Sequence, residues 1–304
     1  MRHTAVQRPI LELSADGSLK PAGRTSVFSA ERTNSFEIVA CSAARLRGLY
    51  AEHGLALSRS PTLLALIEKA KILASASQDE RTFSQLLSAL QIQRIAEAVL
   101  PLAGKPQAHE KLVETLDGGI SLLSRKRSKA KDTLWELELH RILSDCGIET
   151  TFAEPDLMLA LAGSSAGVAC KKLYSEANVE KVLSQAIAQI ERNCSSGIVA
   201  LDIEDLLPED AILQVQNSHG MNVHLNAHND GFMQRHERHL RRYLEQGRAI
   251  SVVVSCGAIV DILDRSPRFH TARQTTVWNI PNHSPSQSSQ VEAILKALLS
   301  SHAA

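Results

Sequence analysis

The chain has 304 residues, 33 Lys plus Arg balanced by 33 Asp plus Glu, and five cysteines. A formal net charge of zero excludes a bulk electrostatic pull toward nucleic acid or membrane, so any such affinity must be local. Cys41, Cys146, Cys170, Cys194 and Cys256 are scattered and lack a CxxC pair, which predicts reduced, mostly buried thiols and no disulfide or zinc framework. The opening MRHTAVQRPILELSADGS has no apolar leader core, and no run approaches the roughly 20 apolar residues that span a bilayer. The expectation is a soluble cytoplasmic protein with no membrane partner, long enough for two units.

Residues 1–30 mix Ser, Thr, Gly, Pro and charge with little periodicity, predicting a flexible arm or a short edge strand around ILEL. Residues 31–124 read as a helical region of four helices. Ser60-Pro61 looks like an N-cap followed by a first-turn proline, Ser77 with Glu80 like a capping box, and DGG at 117–119 like a break. The run SRKRSKAKD then puts Arg125, Lys126, Arg127, Lys129 and Lys131 within seven residues, either a solvated linker or helix start, or a phosphate-contacting patch.

From 125 to 304 the elements alternate. DTLWELELHRILSDC carries an apolar stripe of Trp135, Leu139, Ile142, Leu143 and Cys146 and ends at Gly147. GIETTF, DLMLALA and GVACKKL read as strands, the last two joined by a small-residue turn at GSSAG. NVEKVLSQAIAQIERN is an amphipathic helix and SGIVALDI a strand. A polar, histidine-rich stretch, the helix FMQRHERHLRRYLEQG, the strand AISVVVSCGAIVDI, a shorter strand at TTVWNIP and a helix near SQVEAILKALL follow. The continuously apolar AISVVVS implies burial on both faces, hence a mixed sheet between helices.

Strand alternation locates a candidate site. Ala169 and Lys171 point one way and Cys170 and Lys172 the other, so a hairpin from Asp156 to Lys171 brings a carboxylate beside an ammonium at one strand end. With a further carboxylate from the preceding helix, such a pair could hold a hard divalent cation and a water over a phosphate.

At Pro155-Asp156, Ala169-Cys170-Lys171, the helix WELELHRIL and the following helix with Gln185 and Gln189, the sequence resembles the PD-(D/E)xK nuclease superfamily. The resemblance implies a restriction-endonuclease-like α/β fold with an αβββαβ core, extra C-terminal strands and helices, and a preceding helical region. It further implies Mg2+ or Mn2+ held by Asp156, a helix glutamate and the Cys170 carbonyl, Lys171 acting on the attacking water, a DNA or RNA substrate, and pairing into a homodimer as in members that cut both strands. Glu136 and Glu138 each lie about 80° from the centre of the apolar stripe, so periodicity does not choose between them. The distance to the helix-ending glycine, read through the resemblance, favours Glu136. Ala169 stands where the family carries Asp or Glu, so one ligand is missing unless Glu176, Glu180, Glu154 or the Gln185 amide substitutes.

Lys172, Arg125, Lys126 and Arg127, together with Arg238, Arg241 and Arg242, are the candidate nucleic-acid contacts. His219, His224, His228, His236 and His239 fall close together without an HExxH or paired cysteines, which favours surface histidines over a transition-metal site. No recognisable nucleophile elbow and no phosphate-binding glycine loop is present, and the small residues of GSSAG read as a tight hairpin turn. The reading is a metal-dependent nuclease; the alternatives are an inactive nucleic-acid- or protein-binding module on the same fold, and an interaction protein whose α/β part is scaffold.

Overall fold

The computed structural model describes residues 10–13, 19–31, 36–75, 82–161, 163–281 and 284–300. Strands β1 (Ile10–Leu13) and β2 (Leu19–Glu31) precede α1 (Phe36–Glu52), α2 (Pro61–Ser75), α3 (Phe83–Val99) and α4 (Ala108–Thr115). Then come α5 (Lys129–Asp145), β3 (Glu149–Ala153), β4 (Asp156–Leu161), β5 (Ser164–Lys172), α6 (Val179–Asn193) and β6 (Gly197–Asp202). The chain continues through β7 (Ile212–Val215), α7 (Ser218–Arg235), α8 (Glu237–Glu245), β8 (Ser251–Ile262), β9 (Phe269–Asn279) and α9 (Pro285–Ser300).

The strands form one mixed sheet in the order β1-β2-β9-β8-β6-β5-β4-β3, with β7 also on β8. Strands β3, β4 and β5 make an antiparallel meander, and β5–β6 and β6–β8 are parallel pairs. Parallel neighbours need a crossover, and α6 supplies the one from β5 to β6. The protein is therefore α/β. Among the described residues no helix is long and apolar enough to cross a membrane.

Each face of the sheet carries its own core. Leu157, Val168, Cys170, Ile198 and Ala200 pack with α1–α5 and α9, whereas Ala169, Val199, Leu201, Val252 and Val254 pack with α6–α8. Because one continuous core joins α1–α4 to α5 and the sheet, α5 is enclosed: Lys131, Thr133, Glu136, Glu138 and His140 are all buried. The single apolar stripe expected of α5 was too narrow, since an enclosed helix also buries polar faces and must pair them.

Several other expectations are revised. Of the two readings of residues 1–30, the edge strand at ILEL is present as β1 at the end of the sheet, and the longer β2 that follows it was not anticipated. The latter runs antiparallel along β9 from Gly23 to Glu31, where β9 offers a row of unpaired backbone groups. The hairpin turn is tighter than GSSAG: Leu161 already pairs with Ser164, and Gly163 adopts φ +77. The next glycine, Gly167, is small for packing, because a Cβ there would collide with Cys194 Sγ and with Pro155. The helix-start reading of the basic run holds for its second half: α5 begins at Lys129, capped by Ser128 accepting from the Lys131 amide. The histidine-rich stretch is helix α7, broken from α8 at His236. Pro61 opens α2 directly after Ser60 as expected, although the Ser60 hydroxyl goes to the Gly118 carbonyl at 3.4 Å; the Ser77/Glu80 box lies outside the described residues, among which Thr82 and Gln85 form a capping box.

Candidate active site

The carboxyl end of β5 and the amino end of β4 open into a cleft of ≈ 430 Å³ between α5 and α6. Asp156 opens β4. Since Leu157 pairs with Val168, the next step of the register sets Asp156 beside Ala169. Asp156 Oδ2 accepts from the Cys170 amide at 2.7 Å and from Lys171 Nζ at 2.9 Å, and Lys171 Nζ also donates to the Cys170 carbonyl at 3.0 Å. Gln189 of α6 donates to the Pro155 carbonyl and to Asp156 Oδ1, the latter at 3.2 Å. A strand end is thus tied to a helix on one side and to its own hairpin partner on the other.

Glu136 lines the same cleft from α5. Its Oε2 accepts from Lys111 Nζ of α4 at 2.6 Å. Burial pushes its carboxyl above the ordinary glutamate value, with Lys111 working against that and the Asp156 charge adding to it. Burial likewise disfavours the Lys111 ammonium, but Glu136 and Glu114 outweigh it and hold the pKa above the usual lysine range. Glu138 is not in the cleft: it accepts from Arg94 at 3.0 Å and from Arg273 at 2.7 Å.

A third cleft carboxylate, Asp132, was not anticipated. It accepts from the Tyr174 hydroxyl at 2.8 Å, and burial raises its pKa. Its signal was available, since Asp132 and Glu136 are four apart and share a helix face. Arg127, Lys129 and Lys181 add positive charge to the lining, and Gln185 an amide. None of the carboxylates weighed as a substitute at position 169 lines the cleft. Glu176 pairs with Arg235 and His236, Glu180 approaches His239 at 3.8 Å, and Glu154 accepts from Gln189.

Lys172 corrects the sequence reading most sharply. Alternation turns it away from Lys171, and its side chain, 4% exposed, pairs with Asp202 at 2.6 Å and Asp205 at 2.8 Å. Lys131 also pairs with Asp205, and Arg94 and Arg273 each bind both Glu138 and Glu204. Burial opposes the Asp202 and Glu204 carboxylates, but Lys172, Arg94 and Arg273 prevail and hold both below the usual range. Lys172 thus belongs to a buried ionic cluster and is not free to meet a phosphate.

Of the remaining expected contacts, Arg125 is tied to the Leu122 and Pro208 carbonyls, Lys126 is exposed outside the cleft lining, and Arg127 is 80% exposed at its rim. Arg238, Arg241 and Arg242 lie on α8, which the cleft does not reach. Arg241 lies between Glu237 and Glu245, and Arg242 stacks on Tyr243. Among the described residues no three His, Cys, Asp or Glu side chains are arranged to hold a metal ion, the histidines included.

Fold and site together define an α/β protein with a polar cleft at the carboxyl end of the parallel strand β5, a common kind of location for ligand sites in open sheets. No family model, curated protein or solved structure matches the chain.

Proposed function

We propose that this chain is a metal-dependent nuclease of the PD-(D/E)xK type, acting on DNA or RNA in the cytoplasm. The observation that carries the reading is the convergence of Asp156, Lys171 and Glu136 on one cleft, on elements that run helix, three strands, helix, strand. The donor set fits a hard cation: Asp156 and Glu136 offer carboxylate oxygens and Cys170 a carbonyl. Magnesium sites commonly need only one or two carboxylates, waters and substrate phosphates completing the shell. When bound, Mg2+ or Mn2+ would polarise a phosphoryl oxygen and lower the pKa of a water.

The protein's own residues supply the rest. Asp156 Oδ2 and the Cys170 carbonyl fix the Lys171 ammonium, which is thereby aimed at the cleft to orient an attacking water. Gln189 holds Asp156 in register. Arg127, Lys129 and Lys181 are the cations that would bind flanking phosphates, replacing Lys172 and the α8 arginines in that role.

One observation favours the second reading, a binding module without cleavage. Ala169, 0% exposed, sits in the α6-side core, so the position next to Asp156 supplies no ligand. The test is cleavage of labelled single- and double-stranded DNA and RNA in Mg2+, Mn2+ and EDTA by wild type, Asp156→Ala and Lys171→Ala. Metal-dependent cutting lost in both variants supports the nuclease. Equal inertness of all three proteins, with salt-sensitive retention of the same substrates, supports the binding module.

A further inference from the structure

Three oxygens suited to a cation are already held by lysines. Lys171 Nζ takes the Cys170 carbonyl and Asp156 Oδ2, and Lys111 Nζ takes Glu136 Oε2. Lys171 lies on the same hairpin as Asp156. Lys111 comes from α4, in the helical layer that precedes α5 in the chain.

Lys111 is held as a component of the site and not as a stray surface lysine. Its side chain is 13% exposed, its ammonium lies 5.8 Å from the centre of the Phe152 ring, and it donates to Glu114 Oε2 at 3.1 Å as well as to Glu136. Glu114 in turn accepts from Thr133 at 3.1 Å and pairs with Lys129 at 3.1 Å, and Lys129 lines the cleft. Charges therefore alternate along a chain from rim to floor: Lys129, Glu114, Lys111, Glu136.

We propose that Lys111 is a built-in competitor for the divalent ion: its ammonium occupies the cation side of Glu136, and the helical layer so sets how readily the cleft takes up metal. This inference rests on the metal reading of the cleft. An ammonium and a divalent ion at the same carboxylate oxygen repel each other, so uptake requires Lys111 to leave Glu136. Glu114 gives it a second partner to withdraw to. A substrate phosphate that drew Lys129 away would leave Glu114 freer for Lys111, so substrate and metal would bind cooperatively.

The experiment is calorimetric titration of the full chain with Mn2+ alone at pH 8. The proteins are wild type, Lys111→Met, Lys181→Met, and each of these with Asp156→Asn. Competition predicts that Lys111→Met binds Mn2+ at least about tenfold tighter, within the ordinary range of coupled sites. Lys181→Met, which removes an equal charge from the cleft lining, stays within about twofold of wild type. Lys111→Gln, which keeps a hydrogen bond to Glu136 without the charge, repeats the gain and serves if the Met variant does not fold. If neither Lys111 variant binds tighter than Lys181→Met while Asp156→Asn weakens Mn2+ binding throughout, the competitor role is wrong and the metal reading stands. If Asp156→Asn changes Mn2+ binding in none of the three backgrounds, the ion is not in this cleft and both ideas fall.

Discussion

Replacing Lys171 and Lys172 one at a time by methionine separates binding from stability, although the two residues are consecutive. The Lys172 ammonium bridges Asp202 and Asp205, whose side chains are both 0% exposed. Removing one partner of a buried pair typically costs about 3–5 kcal/mol. Asp205 keeps Lys131 and Asp202 keeps Arg273 at 3.6 Å, so the lower end applies, about 3 kcal/mol. At about 2–4 °C per kcal/mol for a chain of this order of size, Lys172→Met lowers Tm by about 6–12 °C. Lys171 makes one half-buried ion pair and loses about 1 kcal/mol at most. Under the proposed reading Lys171 carries its charge in the cleft where the scissile phosphate would lie, so in fluorescence anisotropy of a labelled oligonucleotide across a salt series the slope of log K against log salt is expected to fall by about 1 for Lys171→Met and to stay unchanged for Lys172→Met. A Lys172→Met protein that melts with wild type, or that loses the same slope as Lys171→Met, refutes the assignment of Lys172 to the ionic cluster.

Gly257→Ala tests that cluster from its other side, because an added Cβ meets Glu204 Oε2 at 2.7 Å, Arg94 Nη1 at 2.9 Å and Arg273 Nη2 at 3.0 Å; a loss of about 2–3 kcal/mol is expected from urea midpoints. Burial and the Lys105 charge hold His140 at about 4, so the unfolded chain takes up this proton first. Stability is then full above pH ~6.5 and is lost as pH falls toward 4, by about 1–2 kcal/mol after allowing for solvent screening. Urea titrations at pH 7 and 4.5 should show this difference shrinking in His140→Gln, and an unchanged difference refutes it. Lys129→Ala and Lys181→Ala should each lower the salt slope of oligonucleotide binding by about 1, whereas Arg241→Ala should leave it unaltered.

The αβββαβ stretch was legible because it is governed by local periodicity. The apolar repeat of α6, the β-branched β6 and the predominantly apolar β8 each declare their type without knowledge of their neighbours. The approach of Asp156 to Lys171 was legible for the same reason, since one hairpin register decides it. What was missed depends on distant partners. Lys172 reads like any strand-end lysine until β6 brings Asp202 alongside, and Arg94 and Arg273 meet Glu204 only after residues far apart in the chain have folded together. Helix α7 was missed as a full helix because asparagines and histidines blur its apolar face, and β2 because nothing in residues 19–31 announces the edge of β9.

The guanidinium of Arg94 comes from α3, yet its two carboxylate partners sit on α5 and beyond β6. A chain trimmed to its α/β part would leave Glu138 and Glu204 sharing Arg273 alone and would bare the apolar face on which α1–α4 lie. The helical layer and the sheet share one hydrophobic core and one ionic cluster, so the expected outcome is a single melting transition for the whole chain and no stable fold for a piece cut at residue 125.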